Sequence, residues 1–180
     1  MPALTDAAEP SSGLSARGKY LLFGALGLAS AVADQLSKAW VQHHLPTLGR
    51  SGMSVIGRRL ILIYAENPGI AFSQFQNLSG GRVVLSLVSV AALALIIGYL
   101  RKVPSSNVAT IAGLGLIWGG ALGNVIDRVS HGSVTDFVLV NLGVWPFNPW
   151  PVFNVADAVL VAGVALMILA RVKRAPESAQ

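Results

Sequence analysis

Four stretches of the chain are apolar over the length a bilayer demands: 20–41, 83–100, 108–126 and 152–170. A hydrocarbon core takes roughly 20 mostly apolar residues per helix, so each stretch predicts one span. Between the first two, residues 54–64 read SVIGRRLILIY, β-branched and large apolar residues followed closely by Asn67-Pro68-Gly69. That pattern predicts a short strand or hairpin at the membrane surface. The segment 127–151 ends in NLGVWPFNPWP. Its Trp145, Phe147 and Trp150 favour the headgroup layer, so this loop is expected to lie on the bilayer. Residues 1–18, rich in Ala, Ser and Pro, read as a disordered tail, as do 175–180. The expected fold is an all-α membrane protein. One domain over 19–174 forms a four-transmembrane-helix bundle, with a small extracytoplasmic β element between helices 1 and 2.

Composition agrees. Of 180 residues, 53% are hydrophobic and 12% charged, with mean hydropathy +0.63; a soluble domain carries about 25% charged residues. There are no cysteines, which excludes disulfides, thiolate catalysis and cysteine metal sites. The net charge of +5 does not point to nucleic acid, because the basic residues cluster beside the apolar segments. Arg17 and Lys19, Arg101 and Lys102, and Arg171, Lys173 and Arg174 flank one set of span ends. The short-loop rule therefore makes both termini cytoplasmic, with the segments 42–82 and 127–151 outside. Ala31-Val32-Ala33 imitates the cleavage site of a secretory signal, but the apolar run continues through Ala39-Trp40-Val41. A retained first span is the preferred reading.

Of eight acidic residues, Asp6, Glu9 and Glu177 lie in the tails. Asp34, Glu66, Asp127, Asp136 and Asp157 lie in or beside the apolar body, where a carboxylate is costly and reads as functional by default. Asp136 and Asp157 border two membrane-length segments. Two carboxyls brought together share one proton, so one serves as acid and the other as base. Asn124, Asp127 and Arg128 fall on one helix face, as do Asn154 and Asp157. Asp127 reads as structural or substrate-orienting, and Asp34 with Lys38 reads equally well as an i,i+4 ion pair. The glycines of GLGLIWGGALGN read as helix packing in lipid. Asn67-Pro68-Gly69 is a turn signature that would present the Asn67 side chain to an extended peptide. No zinc spacing joins His43, His44 and His131, and no phosphate-binding glycine loop is present. No metal and no cofactor are expected. A proton-coupled transporter is the main rival, but no internal repeat supports it. The second is a non-enzymatic scaffold.

Five blocks in order resemble the bacterial lipoprotein signal peptidases, or signal peptidase II, a family of membrane aspartic endopeptidases. They are Asp34-Gln35 with Lys38; Asn67-Pro68-Gly69-Ile70-Ala71-Phe72; Gly123-Asn124-Val125-Ile126-Asp127-Arg128; Val134-Thr135-Asp136-Phe137; and Phe153-Asn154-Val155-Ala156-Asp157. The resemblance implies a catalytic dyad at Asp136 and Asp157. It implies substrate-orienting roles for Asn67, Asn124, Arg128 and Asn154, with Gly69 and Ala71 shaping the same surface. Asp34, Lys38 and Asp127 are implied in support. The implied substrates are prolipoproteins bearing a diacylglyceryl-modified cysteine, cleaved just before that cysteine. The implied setting is the bacterial cytoplasmic (inner) membrane, with the active site toward the outer leaflet surface and membrane lipid as a further partner. A monomer is expected.

Overall fold

A computed structural model describes residues 13–47, 52–69, 81–146 and 148–172. Four helices run through it: α1 (Ala16–His44), α2 (Gly81–Lys102), α3 (Val108–His131) and α4 (Val155–Val172). By length and composition, α1, α3 and α4 each suffice to cross a membrane among the described residues. Three short strands complete the fold: β1 (Met53–Ile56), β2 (Leu60–Asn67) and β3 (Val134–Val140).

α3 is the central helix, with α1, α2 and α4 packed on it. Its glycines make this possible. A Cβ on Gly115 or Gly119 would meet the backbone of α1 at Phe23 or Gly27, and one on Gly120 would meet Ala156 of α4. Such small faces let helices approach where lipid offers no hydrophobic drive. On α1 the buried positions Lys19, Phe23, Gly27, Ala31, Asp34, Lys38 and Val41 recur every three to four residues, one stripe of a helix. After Lys19 that stripe is uncharged as far as Ala31 and becomes ionic at Asp34 and Lys38.

The helix boundaries depart from the apolar runs. α1 begins at Ala16, inside the expected tail, because the Ser15 hydroxyl accepts the Gly18 N–H at 3.0 Å and caps it. α3 continues past residue 126 into the expected outer segment, since Asp127 is buried there and bonded to α1 and β3 rather than solvated. It stops at Gly132, whose φ of 78° and N–H to Arg128 O make a left-handed cap. α4 begins at Val155 rather than 152, after Asn154.

The sheet is antiparallel in the order β1-β2-β3. The expected hairpin is present, but β2 runs on to Asn67, and a third strand joins it from the far side of α3. β3 pairs Ala65 with Asp136 and Asn67 with Val134, and Val138 bridges to Phe153 just before α4. Under the sheet, Val41, Leu45 and Phe137 form a small apolar core. The β3 pairing thus delivers Asp136 to the end of the bundle where α4 starts.

Candidate active site

Asn154 and Asp157 open α4 with a reciprocal cap. The Asn154 Oδ1 accepts the Asp157 N–H at 2.9 Å, and Asp157 Oδ2 accepts the Asn154 N–H at 3.3 Å. This is the capping-box arrangement, which satisfies N–H groups that a helix start would otherwise leave orphaned. The same Asn154 has its amide nitrogen free to work. It donates to Asp136 Oδ1 at 2.7 Å, to Asn124 Oδ1 at 3.2 Å and to Thr135 O at 3.3 Å. One side chain therefore ties Asp136 to Asp157.

Each carboxylate has a further amide of its own. Asn67, carried in by β2, donates to Asp136 Oδ2 at 2.8 Å. Asn124, from the last turns of α3, donates to Asp157 Oδ1 at 3.0 Å. Asp136 is buried at 3% exposure, whereas Asp157 is partly exposed. Burial raises Asp136 above the usual carboxylate range. The Asn67 bond opposes this, the charge of Asp157 adds to it, and the Asn154 bond and Lys38 oppose it. Burial prevails.

Behind this pair lies an ionic cluster. The Lys38 ammonium sits 2.7 Å from Asp34 Oδ2 and 3.1 Å from Asp127 Oδ2, and donates to Asn124 Oδ1 at 2.8 Å. Its three donors thus have three partners. Both carboxylates are also anchored to backbone. Asp34 Oδ1 accepts the Ala156 N–H at 2.9 Å in the first turn of α4, and Asp127 Oδ2 accepts the Thr135 N–H at 2.9 Å. Asp34 fits only because residue 123 is glycine; a Cβ there would collide with its carboxylate. Asp34 and Asp127 are thus bound up in holding α1, α3, β3 and α4 together.

Of the residues singled out in the sequence, Asn67, Asn124, Asp136, Asn154 and Asp157 converge directly. Asp34, Lys38 and Asp127 join them through Asn124. Gly69, with φ 94°, donates its N–H to Asn67 Oδ1 at 2.8 Å and so orients that amide toward Asp136. Arg128 reaches Asn124 O at 3.4 Å, while its Nε is buried without a partner among the described residues. Ile70, Ala71, Phe72 and Phe147 lie outside the described residues. Glu66 stands apart: it accepts the Tyr64 hydroxyl at 2.7 Å, which pushes that phenol up to about 12.

Three participants were given no role in the sequence analysis, although Gln35 and Thr135 stand in two of the blocks. Gln35 donates to Asp127 Oδ1 at 3.0 Å and to Gly123 O at 3.1 Å. Gln42 donates to the Thr135 hydroxyl at 2.8 Å, and Thr135 engages Asp127, Asn154 and Gln42 at once. Gln42 was findable, since it continues the Asp34, Lys38 spacing by one more turn. Thr135 gave no signal beyond its neighbour Asp136. No group of acids and histidines able to hold a metal occurs among the described residues.

Fold and site define a multi-pass membrane protein with two carboxylates linked through one asparagine at one end of its helices. A family model described as Signal peptidase (SPase) II matches residues 26–173. The chain belongs to the signal peptidase II family. The lipoprotein signal peptidase of Beijerinckia indica is 39% identical over 150 residues, covering 83% of this chain and 86% of its own. That of Geobacter sulfurreducens is 38% identical over 148 residues, covering 82% and 89%. A bacterial membrane enzyme solved by the in meso method at 2.3 Å is similar in structure, with TM-score 0.72 and 26% identity. The match covers 93% of this chain and 95% of that one.

Proposed function

We propose that this protein is a lipoprotein signal peptidase that uses Asp136 and Asp157 as an aspartic dyad. It hydrolyses the peptide bond preceding the diacylglyceryl-modified cysteine of a prolipoprotein and releases the signal peptide. The observation that carries this reading is the Asn154 bridge, which holds a buried carboxyl and a partly exposed one in a single hydrogen-bonded unit.

The asymmetry suggests the roles. Asp157 receives the Asn124 amide and the Asn154 N–H at a helix start, where negative charge is favoured. It is the ionised member and takes a proton from water. Asp136, lifted by burial, holds the shared proton and donates it to the scissile carbonyl oxygen as water attacks the carbon. Collapse of the tetrahedral intermediate breaks the C–N bond, and the proton on Asp157 passes to the leaving amine. The carbonyl returns its proton to Asp136.

Asn67, Gly69, Asn124, Arg128 and Asn154 orient the substrate backbone around the dyad, with the lipid-bearing end left in the bilayer. Asp34, Lys38 and Asp127 support them. We further propose four spans, with α2 as the fourth, and a single bundle that works as a monomer in the bacterial inner membrane. The cations Arg17, Arg101, Lys102 and Arg171 gather at the helix ends away from the dyad. That end is cytoplasmic, with both termini, and the dyad faces the outer leaflet surface.

The test is cleavage of a diacylglyceryl-modified precursor by purified protein, beside Asp136→Asn, Asp157→Asn and an unlipidated precursor. Either substitution lowers the rate by about 10²–10⁴-fold, the usual contribution of general acid–base catalysis. Equal cleavage by a variant sinks the dyad, and equal cleavage of the unlipidated form sinks the substrate assignment.

A further inference from the structure

At the opposite end of the bundle, α2 leans on α3 without packing against α4. The gap is a cleft of about 320 Å³, within the roughly 300–1,000 Å³ range of small-molecule sites. Roughly 26 Å of helix separate its floor at Thr110 from Asp127, at about 1.5 Å rise per residue. It is therefore remote from the dyad and independent of the reading given above.

The lining is graded. Met167 and the ring of Tyr99 supply apolar walls, while Asn107, Thr110 and Arg171 supply polar groups. Asn107 caps α3, with its Oδ1 accepting the Thr110 N–H at 3.4 Å, so the positive end of a 24-residue helix opens here. Arg171 lines the cleft, and no ion pair holds it among the described residues. Lys19, a further cation near α2's end, is already committed, donating to Val103 O at 2.6 Å and Arg101 O at 3.4 Å. Arg101 and Lys102 end α2 beside it. The described acids Asp34, Glu66, Asp127, Asp136 and Asp157 all belong to the far end, so among the described residues the charges at this end are positive.

We infer that this cleft binds one anionic phospholipid, its phosphate on Arg171 at the α3 start and its acyl chain along Met167 and the α2–α4 gap. Charge complementarity selects the occupant. A guanidinium presents paired donors to a phosphate, and the apolar wall leads from it into the membrane-spanning part of the bundle. A zwitterionic lipid fits the wall but gains less from the surrounding cations.

The full chain is reconstituted in nanodiscs of mixed phosphatidylglycerol and phosphatidylcholine, and retained lipid is counted by native mass spectrometry. One phosphatidylglycerol is retained per wild-type molecule. Arg171→Gln weakens retention about tenfold or more, the loss of one charge-assisted contact. Arg171→Lys keeps most of it, and Ala170→Trp, which fills the cleft, abolishes it. Equal retention by Arg171→Gln, or no preference over phosphatidylcholine, overturns the inference. Inorganic phosphate that displaces the lipid at millimolar concentration also overturns it, because the site would then belong to a free anion.

Discussion

Asn154 caps the helix that carries Asp157 and, with the other end of the same amide, holds Asp136. Structure and acid–base setting therefore share one side chain, and two substitutions separate them. Asn154→Ala removes a cap worth about 1 kcal/mol and lowers the melting temperature. Asn154→Asp keeps the cap but sets a third carboxylate against Asp136. Its melting temperature holds near wild type at low pH, while cleavage falls by about 10²-fold or more, as for a misplaced reacting group. Equal activity in the two variants would refute the division.

The same bond lowers the proton affinity of Asp136. Asn67→Ala removes the other lowering bond while leaving the α4 cap intact. The alkaline limb of the pH–rate profile, where Asp136 loses its proton, should move to higher pH in Asn67→Ala. A shift to lower pH would contradict the assignment of Asp136 as the acid.

Stability should depend on pH through the same group. Asp136 binds its proton more tightly folded than unfolded. Its contribution is thus fully present below the unfolded carboxylate value of about 3.9. It is lost as pH rises through the raised folded value. Thermal unfolding in detergent should show this decline in the wild type and a smaller one in Asp136→Asn. An identical slope in both would remove Asp136 as its source.

Lys38 stands between two buried carboxylates. Lys38→Met leaves both uncompensated, and breaking a buried pair in this way costs about 3–5 kcal/mol. The melting temperature falls steeply, and Lys38→Met combined with Asp34→Asn and Asp127→Asn recovers part of the loss. No recovery in the triple variant would show that the cluster's charge is not what Lys38 balances.

Gly119 lies against the α1 backbone at Gly27. Gly119→Val forces α1 and α3 apart at a cost of about 1–3 kcal/mol, read as a lower melting temperature. Gly98→Val is the matched control, because Gly98 has open space around it. Equal effects would deny the close approach.

Much of this was legible in the chain. The apolar runs became helices, the 54–64 pattern became a hairpin, and the polar residues of the five blocks met at one end. β3 was not legible as a strand. Its first four residues, Val134 to Phe137, are all buried, so the period-2 alternation that marks a half-exposed strand is missing. The helix ends were misjudged for a related reason. Hydropathy counts Asp127 and Arg128 as leaving the membrane, yet the bonds of Asp127 to α1 and β3 hold that turn in the bundle. Gln35 and Gln42 carry no chemistry of their own, and their value appears only once Asp127 and Thr135 lie beside them.

The Asp34 bond to the Ala156 N–H joins residues separated by 122 positions, and this dictates an order of assembly during synthesis. The Asp34–Lys38 contact is local and can form as soon as α1 is made. Asp127 joins when α3 arrives, and Asp136 follows it on β3. Asp157 follows on α4, whose first turn donates the Ala156 N–H to Asp34. A chain emerging N-terminus first therefore carries Asp136 without Asp157 until α4 has been made. With Asp136 and Asp157 as the proposed dyad, the nascent protein would stay inert toward peptide bonds around it until α4 is inserted.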